Sequence, residues 1–112
     1  MHEAVYGWIL RHRTWRHVSV QVTSFHLVLA GEDATEKVEL PLIAYAVRRP
    51  MVRPAHTSEP LYPISIYLAT NEHLVLGCMN ETDALETMTR LRDASSIGTY
   101  VGIEVGLLYF SY

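Results

Sequence analysis

The stretch from Leu61 to Ala94 changes its hydrophobic period part-way along, and that change restricts the fold more than any other feature of the chain. Ile64, Ile66 and Leu68 alternate with Ser65, Tyr67 and Ala69. After the polar turn Thr70-Asn71-Glu72, Leu74, Leu76 and Cys78 alternate with Val75, Gly77 and Met79. Such alternation marks strands with one buried face. From Asn80 onward the apolar residues Ala84, Leu85, Met88, Leu91 and Ala94 share one face of a helix. Asn80 is a good N-cap, Asp83 puts a carboxylate in the first turn, and Arg90 and Arg92 put cations in the last, as the helix dipole favours. Strand, tight turn, strand and amphipathic helix are therefore expected over 61–94.

The chain before this unit reads as strands. Ala4 to Leu10 is one, with Gly7 inside it, and Arg11-His12-Arg13-Thr14 follows as a basic turn. From Arg16 to Thr23, Val18, Val20 and Val22 face one way and Ser19, Gln21 and Thr23 the other. Ser24 reverses the chain, and Phe25, Leu27 and Leu29 are expected to line one face of the next strand. Gly31 to Glu36 has the composition of an acidic hairpin tip. Lys37 to Val47 resumes the strand pattern, but Pro41 has no N–H for a ladder and demands a bulge, a kink or two short strands. Arg48 to Pro60 is the longest irregular stretch. Beyond the helix, Ser95 to Thr99 breaks the pattern and Tyr100 to Phe110 alternates again.

The sum is a mainly β chain: roughly six or seven antiparallel strands, a helix, and an extra C-terminal strand. A twisted sheet of that size curls into a barrel or splits into a sandwich, and a late helix can plug its open end. Residues 1–94 are expected to form the domain, and 95–112 an extension that packs as a strand on the domain or on a partner.

A chain of 112 residues suits a single core. Its net charge of −3 argues against nucleic acid as a partner. Cys78 is the only cysteine, which excludes an internal disulfide and suits a reducing, cytoplasmic setting; its place in an alternating strand makes it a core thiol. The apolar run near the C-terminus contains Glu104 and is too short to span a bilayer. The six histidines are scattered, with no HExxH and no zinc spacing, and GxSxG, P-loop and GxGxxG motifs are missing. No catalytic residue, metal ligand or cofactor is assigned, and a non-enzymatic role is expected.

The order of elements resembles a pleckstrin-homology (PH) domain or the wider PH-like superfold. Gly7-Trp8-Ile9-Leu10 resembles the family's first strand, and Trp15-Arg16-His17-Val18 the start of its second. Val38 to Leu42 followed by Val47-Arg48-Arg49 resembles its fourth and fifth strands, and Leu74-Val75-Leu76 leading through Asn80 resembles its last strand and C-terminal helix. The resemblance implies a curled antiparallel barrel or sandwich capped by the helix, and a binding module. The family's inositol-phosphate signature is partly supplied by Arg11, Arg13 and Arg16, while Val18 stands where its final arginine is expected. Residues 95–112 have no counterpart in a minimal PH domain.

Three places are candidates for binding. Arg11, Arg13, Arg16 and His17 cluster at the first turn, where arginines grip phosphate oxygens or an acidic partner. Arg48, Arg49 and Arg53 lie in the proline-rich loop, with Glu32, Asp33 and Glu36 of the acidic loop as available counter-charges. In the tail, Val101, Ile103, Val105 and Leu107 share a parity and, with Tyr100, offer an edge to a partner. The expected function is that of a protein-binding scaffold or adaptor, self-associating as a homodimer through the tail strand, cytoplasmic or peripheral to membrane or cytoskeleton. The alternative is binding to phosphoinositide or an acidic membrane surface through the first loop.

Overall fold

In a computed structural model, residues 4–94 and the backbone of Tyr100–Val101 are described. Seven strands form one antiparallel run: β1 (Val5–Arg11), β2 (Thr14–Val22), β3 (His26–Ala30), β4 (Thr35–Glu39), β5 (Ile43–Arg48), β6 (Tyr62–Leu68) and β7 (His73–Cys78). Helix α1 (Glu81–Ala94) follows, and β8 (Tyr100–Val101) lies parallel to β5. The strand order is β4-β3-β2-β1-β7-β6-β5-β8. Edges β4 and β8 do not pair, so the sheet folds over into a sandwich without closing into a barrel. Of the expected extension 95–112, only the backbone of Tyr100 and Val101 is described; Ile103, Val105 and Leu107 lie outside the described residues.

The fold-over needs β1 and β7 to approach closely, and glycine permits it. Gly7 sits opposite Cys78, and a Cβ on Gly7 would stand 2.7 Å from the carbonyl oxygen of Gly77. Between the two halves lies the core: Ile9, Val18, Val20, Leu27, Leu29, Ile43, Ala46, Ile64, Ile66, Leu74, Leu76 and Cys78 are all buried. Pro41 divides the expected long strand, as its missing N–H requires: β4 ends at Glu39 and a 3-10 turn over Leu40–Leu42 leads into β5.

Helix α1 covers this core, packing against β2, β6 and β7 with Ala84, Thr87, Met88 and Leu91 buried. Full burial of a leucine such as Leu91 is worth about 2 kcal/mol. The helix starts where its N-cap dictates: Asn80 Oδ1 accepts the Asp83 N–H at 2.8 Å, and Asn80 Nδ2 donates to the Asp83 carboxylate at 3.2 Å. Arg48 at the end of β5 donates to Glu81 at 2.8 Å, tying the sheet to the first helical turn.

One expected core residue lies elsewhere. Phe25 is 74% exposed although Leu27 and Leu29, of the same parity, are buried. It precedes β3, inside a turn held by Thr23 Oγ1, which accepts the N–H groups of Phe25 and His26 at 3.3 and 3.0 Å. The turn ends the period-two geometry before Phe25 can use it.

Candidate functional site

The strand β1–β2 hairpin ends in the two-residue turn His12-Arg13, closed by the pair Arg11↔Thr14. Both turn residues have left-handed backbone, φ 49° and 67°, as a turn matching the right-handed twist of a hairpin requires. The turn presents Arg13 to solvent and sets Arg11 and Arg16 on either side of it. Beside them lies an open cavity of about 300 Å³, lined by Trp8, Arg11, Trp15, Arg16 and His17 and by three carboxylates of the β3–β4 region, Glu32, Asp33 and Glu36.

The carboxylates decide the electrostatics. Arg11 is already ion-paired with Glu36 of β4. Arg16 faces a lining that also holds Glu32 and Asp33. Of the residues expected to grip phosphate, Arg11, Arg16 and His17 meet in this cavity and Arg13 stays outside on the turn. His17 lies over Trp8 with ring centroids 3.6 Å apart and planes tilted by 32°.

The second expected cluster does not form one patch. Arg48 turns to Glu81, whereas Arg49 donates to Ser65 Oγ at 3.0 Å and to the Tyr67 hydroxyl at 2.6 Å. Arg53 is exposed in the β5–β6 loop. Counter-charge from the acidic loop goes to Arg11 instead.

Two clusters were not foreseen from the sequence. His56, in the long loop, reaches back to the first hairpin: its Nε2 accepts the Trp15 N–H at 3.3 Å, and its ring stands edge-on to Trp8 at 6.5 Å. Trp8 Nε1 beneath is buried with no hydrogen-bond partner among the described residues. Trp15 covers Gly77, where a Cβ would meet the indole at 2.8 Å. The tryptophans on the outer parity of both strands were the one signal that this face is covered. Further along the same outer face of β7, Tyr45, Tyr67 and His73 stack across β5, β6 and β7, with centroids 4.7 and 4.4 Å apart. Burial, and then the positive charge of Arg49, hold the His73 pKa below its ordinary value.

Cys78 is a core thiol. Burial pushes its pKa up to about 11, against a lowering hydrogen bond with Thr87 and with a small further push from Asp83. A thiol so far from ionisation is a poor nucleophile. Among the described residues no group of three or more His, Cys, Asp and Glu side chains is placed to hold a metal ion, and no helix is long and apolar enough to cross a membrane.

Neither protein-family models nor curated protein sequences match the chain. Solved structures do. Inner Membrane Complex sub-compartment protein 3 (ISP3) of Toxoplasma gondii, a PH-like fold protein, superposes with a TM-score of 0.60 over 85% of this chain and 76% of that one. The fold is PH-like. At 11% identity the likeness extends to the fold alone. In PH-like terms, the cavity at Arg11 and Arg16 lies beside the first loop, and the long β5–β6 loop crosses to the same hairpin through His56.

Proposed function

We propose that this chain is a non-enzymatic PH-like interaction module that binds a protein partner as a scaffold or adaptor. The observation that carries the reading is the mixed charge of the cavity at the first hairpin. Arg11 is neutralised by Glu36, and Glu32 and Asp33 line the same space as Arg16. A polyphosphate headgroup entering there meets like charges and has to displace Glu36 from its arginine. A protein surface carrying both signs beside apolar side chains meets Trp8, Trp15, two arginines and three carboxylates on matching terms. The PH-like neighbour and the single buried thiol, suited to a reducing cytoplasm, agree with this role.

The test is site-directed photo-crosslinking in cells, with the crosslinker at Arg13 on the hairpin tip and, as control, at Glu86 on the exposed side of α1. A discrete protein adduct from position 13 that is weakened by Glu32→Lys supports the reading. Equal adducts from both positions, or adducts only to lipid, overturn it.

A further inference from the structure

The outer edge of β4 is open. β4 is the first strand in the sheet, with no neighbour beyond it among the described residues. Its pairing with β3 runs His26↔Glu39, Leu27↔Val38, Val28↔Lys37, Leu29↔Glu36 and Ala30↔Thr35. Leu40 N–H donates to the Phe25 carbonyl at 3.0 Å, and at the other end Gly31 N–H donates to the Ala34 carbonyl at 2.9 Å. Hydrogen-bonded and non-bonded pairs alternate along an antiparallel ladder. Both contacts fix the same phase. Glu36 and Val38 direct their backbone groups to β3, so Thr35, Lys37 and Glu39 direct theirs to the open edge.

Side chains follow the opposite division. Val38 is half-buried against the core, and Glu36, of the same parity, pairs with Arg11. Lys37 and Glu39 are exposed on the other face, and neither has an ion pair among the described residues.

We propose that β4 pairs antiparallel with β4 of a second copy of this chain, with Val38 on the two-fold axis. The backbone phase restricts the choice of register, because a hydrogen-bonded pair must join residues whose groups point outward. Lys37 on the axis sets Lys37 against its own copy, and Glu36 on the axis does the same with a carboxylate; like charges directly opposite are unfavourable. Val38 on the axis instead sets Lys37 of each copy against Glu39 of the other. Each such pair exchanges both backbone N–H···O bonds and forms a cross-strand ion pair, while the Val38 side chains meet on the core-facing side. The strand is short, so the dimer is weak and concentration-dependent. It also removes the exposed edge that an unpaired strand presents. The surface adjoins the Arg11–Arg16 cavity at Glu36 but uses the backbone of β4 with Lys37, Val38 and Glu39, none of which lines the cavity, and the proposal does not rest on the role given to that cavity.

The experiment is sedimentation velocity of the full chain from micromolar to millimolar concentration, at low and high salt. Wild type is expected to dimerise, less so at high salt. Lys37→Glu and Glu39→Lys each put like charges opposite one another and weaken association by at least about tenfold. The double variant, K37E with E39K, restores the ion pairs with their signs exchanged and restores the dimer. Lys37→Pro removes an outward N–H that β3 does not use, and gives a monomer with an unchanged circular-dichroism spectrum. A wild type that stays monomeric throughout overturns the proposal. So does a dimer indifferent to K37E and K37P, or a double variant that fails to recover.

Discussion

Arg11 of β1 and Glu36 of β4 form an ion pair although β2 and β3 lie between their strands in the sheet. In a flat sheet those strands are about 14 Å apart. The contact therefore records how sharply the first half of the sheet curls, and it joins that curl to the charge of the cavity at the first hairpin. Both side chains are partly exposed, which limits the pair to the range of surface ion pairs. A double-mutant cycle with Arg11→Ala and Glu36→Ala is expected to give a coupling of about 0.5 kcal/mol in urea unfolding, fading at molar salt. A coupling of several kcal/mol, or none at low salt, contradicts the arrangement.

The hairpin turn can be improved. Arg13 holds φ 67°, a region where side chains cost energy and glycine does not. Arg13→Gly is expected to stabilise the domain by about 0.5–1 kcal/mol, read as a raised denaturation midpoint. Arg13→Val, β-branched at the same φ, is expected to lower it.

Gly7 and Gly77 separate under alanine substitution. A methyl at position 7 meets the Gly77 carbonyl oxygen at 2.7 Å, which is backbone in the middle of a ladder. At position 77 it meets side chains, Trp15 at 2.8 Å and Leu61 at 3.0 Å. Gly7→Ala is expected to cost upwards of about 2 kcal/mol, because β1 must move away from β7. Gly77→Ala is expected to cost less and to displace Trp15, visible as a change in tryptophan fluorescence that Gly7→Ala does not reproduce at low denaturant. Equal costs contradict the account.

His73 gives a pH dependence with a fixed sign. Its folded pKa lies below the ordinary 6.5, from burial first and the Arg49 charge second. Below about 6.5 the unfolded chain takes up the proton and the folded one resists it. The His73 contribution is therefore complete above that pH, falls as the pH drops towards the folded pKa, and levels off below it. Urea midpoints near pH 7.5 and near pH 5 are expected to differ more for wild type than for His73→Asn. An identical difference in the two proteins removes His73 as the cause.

The local elements were legible in the sequence because their causes are local. Alternation marks β6 and β7, Asn80 with Asp83 marks the helix start, and Pro41 forces the break between β4 and β5. The order of those elements sufficed for the PH-like fold, and the basic turn for the position of Arg11 and Arg16. Contacts that cross the sheet were not legible. Nothing local pairs Arg11 with Glu36, 25 positions away, or brings His56 to the Trp15 N–H, 41 positions away. The sequence offers Arg49 as a binding candidate in the proline-rich loop, but it folds over Ser65 and Tyr67, so the middle of β6 is buried on both faces. Phe25 failed for the opposite reason: its parity fitted the core, and a local hydroxyl-capped turn overrode the pattern.

Calorimetric titration with a soluble inositol polyphosphate tests most directly whether the carboxylates turn the cavity at the first hairpin away from phosphate. Wild type is expected to show no binding at physiological salt, and the triple variant Glu32→Gln, Asp33→Gln, Glu36→Gln is expected to gain it, since Arg11 and Arg16 are then unopposed. Binding by wild type that is lost in Arg11→Ala, Arg16→Ala would contradict the account and return the cavity to anionic headgroups.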